Sequence, residues 1–213
     1  LGLENKVYHQ IGNLCDHDSI LKYVSENEFD FVFHLAAQSL VLRSYKNTLD
    51  TWNTNVMGTV NLLEALRNYK TNCIVIVITT DKVYYNNEWE YGYVESDQLG
   101  GLDPYSASKA GVELAVQSYK SLYEQNANLI TIASARAGNV IGGGDWCENR
   151  LVPDIIKSLM GNEIIQIRNP KSIRPWQHVL EPLSGYMQLA KKLSGNKNLA
   201  SAYNFGPNIN DNC

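Results

Sequence analysis

The sequence predicts an α/β protein built on a doubly wound parallel sheet. Short apolar runs recur at residues 29–37 (FDFVFHLAA), 73–78 (CIVIVI) and 129–137 (LITIASARA), with helical patterns between them. The runs are continuous, as strands covered on both faces require, whereas a sheet with one wet face alternates. Strand, helix, strand, helix, strand in that order implies parallel crossovers with helices on both sides of the sheet.

Each element has its own signal. Between the first two runs Trp52, Val56, Val60, Leu63 and Leu66 fall at helical spacing, which predicts one helix over 50–69. Between the second and third, Asp103 is placed to cap a helix whose first turn carries Pro104, where a missing N–H costs nothing. That helix is expected to run through Val112, Val116 and Tyr119 to about residue 124. After Asn139 the texture changes: GGGDW reads as a flexible turn, LVPDIIKSLM as a short helix, IIQIRN as a strand and 181–193 as another helix. The expected division is a main domain over 1–140 and a smaller lobe over 141–213 that closes over a crevice, with the chain crossing between them. The tail NFGPNINDNC is loop-like.

The 213 residues suffice for one good core or one domain and part of another. With 44% hydrophobic and 19% charged residues the chain is of ordinary globular composition, and its net charge of −4 gives no electrostatic reason for nucleic-acid or anionic-membrane binding. Small molecules are the expected partners. Cys15, Cys73, Cys147 and Cys213 form no CxxC pair, which argues against a zinc or redox motif, and the lack of a disulfide-like pattern points to the cytosol. Cys73 reads as a buried free thiol. CIVIVI is too short to span a bilayer, and no signal peptide is visible.

In parallel sheets ligands bind beyond the carboxyl ends of the strands, so HLAAQS, TTDKVY and ARAGNV are expected to converge on one crevice. DPYSASK sets Tyr105 and Lys109 four apart on one helix face. A lysine ammonium beside a phenol favours the phenolate, which can serve as general base. The spacing alone is a weak signal; its position at a helix start, with Thr80 at the preceding strand end, gives it weight. TTDK adds the acid Asp81 beside the amine Lys82, a pair that alone would read as a solvated turn. His9 and His17 read as surface residues, and His34 as a residue fixing the backbone of the following loop. No histidine has partners at metal-ligand spacing. Arg136 is expected to pair with a carboxylate under the crevice, and Trp89, Tyr91 and Tyr93 to pack.

This combination resembles the extended, nucleotide-sugar-modifying branch of the short-chain dehydrogenase/reductase superfamily, over nearly the whole chain. TTDK, NNEWEYGY, GGLDPYSASK, ARAGNVIGGGDW, RLVPDI and IRNPKSIRPWQHVLEPLSGY narrow the resemblance to its sugar 4,6-dehydratases acting on CDP-glucose. Those for other nucleotides typically carry Asp-Glu where this chain has Asp81 and Lys82. The resemblance implies a Rossmann-like sheet and NAD, with Ala36, Ala37 and Gln38 over the pyrophosphate and ribose and Asn55 supporting the site. Thr79, Tyr105 and Lys109 would also contact the cofactor. Asn13, with Leu14, stands where the family often has an aspartate at the adenine, and its amide oxygen still accepts a hydrogen bond.

The chemistry implied is a dehydration. Tyr105 takes the C4 hydroxyl proton as the C4 hydride leaves, and Thr80 hydrogen-bonds the C4 oxygen. The 4-ketone acidifies C5; Lys82, neutral, removes the C5 proton while Asp81, protonated, gives one to the departing C6 hydroxyl, both states favoured by burial. Arg174, then Arg150 and His178, are the expected diphosphate grips, with Asn139 at the diphosphate or sugar. Trp176 is equally compatible with the nucleotide pocket and with a core position. The glycine-rich turn of the family is absent; GNVIGGGDW follows a late strand and is not it. The resemblance places that turn and the first two strands upstream of residue 1, makes YHQIG (8–12) the third strand of a 3-2-1-4-5 order, and leaves the C-terminal end missing too. Without those strands NAD binding is expected to be poor. The family's habit further implies a homodimer or higher homo-oligomer through a bundle of helices 50–69 and 105–124. An epimerase acting only at C4, and a non-catalytic dinucleotide-binding remnant, are the two other readings; the first has no use for Asp81 and Lys82.

Overall fold

A computed structural model of the chain describes residues 2–3, 5–125, 129–199 and 201–208. Its centre is strand β2 (Cys73–Thr80), parallel on one side to β1 (Phe31–His34) and on the other to β3 (Ile130–Ala137), which in turn pairs with β6 (Ala202–Phe205). The order of this four-stranded sheet is β1-β2-β3-β6.

The side chains of β2 explain why its sequence does not alternate. Cys73, Val75 and Val77 pack with Val24 of α1 (His17–Glu26), Leu63 and Leu66 of α4 (Gly58–Leu66), and Val112, Val116 and Tyr123 of α5 (Pro104–Gln125). Ile74 and Ile76 point the other way, onto Tyr186, Leu189, Ala190 and Leu193 of α7 (Leu180–Gly195). Both faces are therefore dry, and each fully buried aliphatic contributes roughly 1.5–3 kcal/mol. The doubly wound α/β class is as expected. β1 lies at the sheet edge among the described residues, with Phe31 and Phe33 exposed.

α5 starts as its sequence predicts: Asp103 Oδ1 accepts from the N–H groups of Tyr105 and Ser106, both at 3.0 Å. The single helix expected over 50–69 is instead a series. After α2 (Val41–Lys46) come α3 (Thr48–Trp52), a π-helical turn (Asn53–Met57) and α4. The widened turn carries the buried Asn55 side chain to the loop after β1. Such turns insert one residue into the helical ladder, and a hydrophobic stripe does not reveal them.

Three further expectations are corrected. Residues 8–12 are not a strand: they make no ladder, and Tyr8 and Ile11 are exposed. Residues 164–169 (IIQIRN) are not one either; Ile164 is 88% exposed. The strand that pairs with β4 (Asn139–Ile141) is instead β5 (Trp176–His178). Asn204 and Phe205, assigned to a loop-like tail, close β6 through pairing with β3; the tail from 209, with Cys213, lies outside the described residues. The helix expected at LVPDIIKSLM is present as α6 (Leu151–Met160). Within the stretch 141–213, α7 packs on the main sheet and β6 joins it. No helix among the described residues is long and apolar enough to cross a membrane.

The β4–β5 ribbon depends on a close approach. A Cβ at Gly138 would meet Pro175 Cγ at 2.7 Å and the Pro175 carbonyl oxygen at 3.0 Å. Gly138→Ala in the full-length protein is expected to push Pro175 and β5 outward and to cost about 1–3 kcal/mol. Urea unfolding measures it, and an unchanged midpoint would show that the ribbon yields freely.

Candidate active site

β2 ends in Thr80, and the chain turns at once through a 3-10 turn, Asp81–Val83. The Thr80 hydroxyl donates to Asp81 Oδ1 at 3.0 Å, and Lys82 Nζ stands 3.0 Å from the same oxygen and 3.3 Å from Asn139 Oδ1. The acid and the amine therefore form a close ion pair at the strand end, aimed at β4. Their side chains are 35% (Lys82) and 33% (Asp81) exposed, so the burial on which a protonated acid and a neutral amine were expected to rest is not present in the free protein.

Tyr105, in the first turn of α5, is buried. Burial pushes its phenol up to about 12; a hydrogen bond with Thr80 and the charge of Arg150 oppose this, while Asp81 and Asp103 add to it. Lys109 is not what lowers Tyr105 here, contrary to expectation. Its ammonium donates to the Ile78 carbonyl at 3.1 Å, and burial pushes it down to about 8 against the pull of Glu113.

The loop after β1 is held by Asn55 rather than by His34. Asn55 Oδ1 accepts from Gln38 N at 2.8 Å, and its Nδ2 donates to Gln38 O at 3.1 Å and to Ser108 Oγ at 2.9 Å. Ser108 in turn donates to the Tyr105 carbonyl at 2.7 Å, so one amide ties the loop, the π turn and the tyrosine's helix together. The Gln38 side chain is engaged with Thr51 and Leu40. Ala36 and Ala37 lie in this loop beside the end of β1. His34 bonds α4 through Thr59, Nε2 to Oγ1 at 2.9 Å; because the Thr59 hydroxyl donates to the Asn55 carbonyl, Nε2 carries the proton.

The remaining expected residues divide. Asn13 Oδ1 accepts from Cys15 N at 3.0 Å and Leu14 O from Asn61 Nδ2 at 2.8 Å, so both are engaged in local structure beside α4. The Thr79 hydroxyl donates to Glu113 beneath the crevice, and Thr79 also lines the cavity. Thr80, Lys82, Tyr105, Asn139, Arg150 and Arg174 line one cavity of about 930 Å³. Arg150 spans it, with Nη2 3.0 Å from Ser39 Oγ and Nη1 3.3 Å from Asp145. His178 does not line it; its Nδ1 accepts from Leu180 N at 3.3 Å and starts α7. Trp176 lines the cavity, as do Arg43 and Arg168, two cations that no sequence signal marked. Four arginines and Lys82 among the lining residues suit a polyanion.

Below the cavity Arg136 pairs with Glu113 at 2.8 Å, as expected of a structural arginine, and reaches the Tyr84 hydroxyl at 2.8 Å. Trp89 stacks on Tyr91, and Tyr93 on Tyr84. No cluster of His, Cys, Asp or Glu able to hold a metal ion occurs among the described residues.

Comparison with known proteins agrees with this geometry. Residues 2–205 match the family model described as GDP-mannose 4,6 dehydratase. CDP-glucose 4,6-dehydratase of Salmonella typhimurium is 45% identical over 98% of this chain and 60% of its own length. dTDP-glucose 4,6-dehydratase of Escherichia coli is 31% identical over 78% of this chain and 50% of its own length. Among solved structures, UDP-glucuronic acid 4-epimerase from Bacillus cereus, in complex with UDP-glucuronic acid and NAD, superposes with a TM-score of 0.79 at 22% identity, over 95% of this chain and 60% of the other. dTDP-glucose 4,6-dehydratase from Streptomyces venezuelae, with NAD bound, gives 0.75 at 23% identity over 92% and 56%. These two likenesses establish the fold. The chain thus spans about three-fifths of the Salmonella relative.

His34 supplies a pH test of the site's packing. Burial, with the charge of Lys109, pushes its imidazole down to about 4. The unfolded chain then takes up the proton first, so the stabilisation is complete above the unfolded value and is lost as pH falls toward the folded one. Between pH 7 and 4.5 the loss from this residue is on the order of 2 kcal/mol. His34→Gln is expected to flatten the denaturation profile by that amount; an unaltered slope would place the imidazole in water.

Proposed function

The chain belongs to the GDP-mannose 4,6 dehydratase family, and on that premise we propose that it carries the active site of an NAD-dependent 4,6-dehydratase whose substrate is CDP-glucose. The observation that carries the reading is the meeting of Tyr105, Thr80 and Lys82, with Asp81 on Lys82, at one arginine-walled cavity. A C4 epimerase needs the first two and has no task for an acid and a base side by side. The 45% identity to the Salmonella enzyme supports cytidine as the base.

The residues present fit NAD. Lys109 is buried and its ammonium donates to the Ile78 carbonyl; among the described residues its further N–H donors are free to meet ribose hydroxyls. Ala36 and Ala37 leave the exit of β1 free of bulk, and Asn55 fixes the Gln38 backbone between them and α5. Bound there, NAD supplies the acceptor for the C4 hydride and its donor to C6.

On this reading Thr80 and Tyr105 hold the C4 oxygen, and Tyr105 removes its proton. The Asp81–Lys82 pair then meets the 4-keto sugar. When the sugar covers the pair and excludes water, the charged form loses its solvation, and a single proton passing from Lys82 Nζ to Asp81 Oδ1 across 3.0 Å gives a neutral amine and a carboxylic acid. Those are the base for the C5 proton and the acid for the C6 hydroxyl. Arg174, Arg150, Arg43 and Arg168 surround the diphosphate, and Asn139 orients Lys82. The exposed Leu42, Tyr45, Leu49 and Leu114 on α2, α3 and α5 support pairing of two copies through these helices, and the free thiols of Cys15, Cys73 and Cys147 are consistent with action in the cytosol.

The full-length protein with NAD+ and CDP-glucose is expected to yield a product lighter by one water; a product of unchanged mass would make it an epimerase, and no turnover a binding protein. Tyr105→Phe is expected to lower kcat by about 10²–10⁴-fold. Lys82→Met should keep the transient nicotinamide absorbance on adding CDP-glucose and lose the dehydrated product. Loss of both signals together would remove Lys82 from the elimination.

A further inference from the structure

One polar group that the chemistry above does not use opens into the same cavity. Tyr186, on α7, is 5% exposed and is among the lining residues. Its hydroxyl makes no hydrogen bond among the described residues. The side-chain polar atoms there that are both unpaired and sealed from solvent are Trp89 Nε1 and Arg136 Nε. The Tyr186 hydroxyl is not one of them, so it reaches open space, and the space that its side chain lines is the cavity. The ring is held in place. It packs in one cluster with Ala133, Ala135 and Leu189 and meets Phe205 of β6 edge-on, centroids 5.3 Å apart at 84°. A Cβ at Gly185 would collide with that Phe205 ring, so the glycine lets α7 seat the tyrosine against β6. Ile78, Ala137 and Val140 share both the cluster and the cavity, which makes this part of the floor apolar. Burial alone pushes the phenol up to about 12, with no charged group contributing, so it stands there as a neutral O–H. A buried tyrosine hydroxyl ordinarily has a partner, and one left open at a ligand cavity has its partner on the ligand.

We propose that Tyr186 is a further ligand-binding residue: from the α7 face of the sheet its hydroxyl hydrogen-bonds a neutral amide or hydroxyl of the bound ligand, while Tyr105 acts from the α5 face. The two helices cover opposite faces of β2, α5 over Val75 and Val77 and α7 over Ile74 and Ile76, so the two tyrosines reach the strand ends from opposite sides. Within the cavity as read above, such a group is the carboxamide of the nicotinamide or a hydroxyl of the glucose, and the inference rests on that reading.

Calorimetric titration of the full-length protein with two pairs of ligands tests it and separates the sources. NAD+ is compared with ADP-ribose, which lacks the nicotinamide. CDP-glucose is compared with CDP, which lacks the sugar, on protein loaded with NADH, which cannot accept the C4 hydride. Tyr186→Phe keeps the ring and removes only the hydroxyl. It should weaken NAD+ or CDP-glucose by about 3–10-fold and leave ADP-ribose and CDP unchanged. A loss on NAD+ assigns the bond to the carboxamide, and a loss on CDP-glucose assigns it to a sugar hydroxyl. Without ligand the variant should melt no lower than the wild type, because a hydroxyl with no partner in the protein contributes no bond there. Unchanged affinity for all four ligands, a loss that extends to ADP-ribose or CDP, or a lowered Tm overturns the inference. Wild-type protein that binds neither NAD+ nor CDP-glucose would refute the proposed function and the inference with it. Wild-type binding that Tyr186→Phe leaves untouched refutes the role of Tyr186 alone.

Discussion

Everything at the site depends on β2 being covered on both faces up to its last residue. Cys73 through Ile78 alternate between two apolar layers, and the register with β3 runs unbroken to Thr80 opposite Ala137. A strand so confined can turn only at its end. The turn therefore delivers Asp81 and Lys82 at the carboxyl edge of the sheet, where α5 begins with Tyr105 and where β3 gives way to Asn139. Parallel strands end at one edge, so residues separated by 57 positions, Lys82 and Asn139, come within 3.3 Å.

The polar groups under that edge are costly to bury and are matched closely. Removing a partner from a buried ion pair costs about 3–5 kcal/mol, although replacing the whole pair by apolar groups is often neutral. The Glu113–Arg136 pair is therefore weak evidence of stability and stronger evidence of a fixed arrangement. Its contacts reach β2 through Thr79, β3 through Ser134 and the loop after the 3-10 turn through Tyr84, which itself donates to Asn204 of β6 at 2.7 Å. Asn55 does the same on the other side of α5, joining the loop after β1 to Ser108. Tyr105 and Lys109 sit between the two networks.

The sequence made the layers legible because burial on two faces writes itself as an unbroken apolar run, and the capped start of α5 because Asp103 and Pro104 are local signals. Tyr105, Thr80, Lys82, Asn139, Arg150 and Arg174 were legible as a set through motif resemblance and meet at one cavity. What escaped depends on contacts distant in sequence. The π turn at 53–57 exists because Asn55 reaches Gln38, and no periodicity encodes that. IIQIRN has the composition of a strand but pairs with none, while WQH, with no such pattern, pairs with β4. Arg43 and Arg168 become cavity residues only when α2 and the 161–175 segment are brought together. The partner of Lys109 was misjudged because spacing on a helix shows which groups share a face and not which backbone carbonyl lies nearer.

The central claim is that oxidation at C4 and elimination across C5 and C6 take place in this one crevice within a single turnover. Turnover of CDP-glucose deuterated at C4 by the full-length protein tests it most directly. The account predicts that the deuterium is found in the C6 methyl group of a 4-keto product, carried there without loss to solvent. Deuterium retained at C4, or washed out into water, would contradict it.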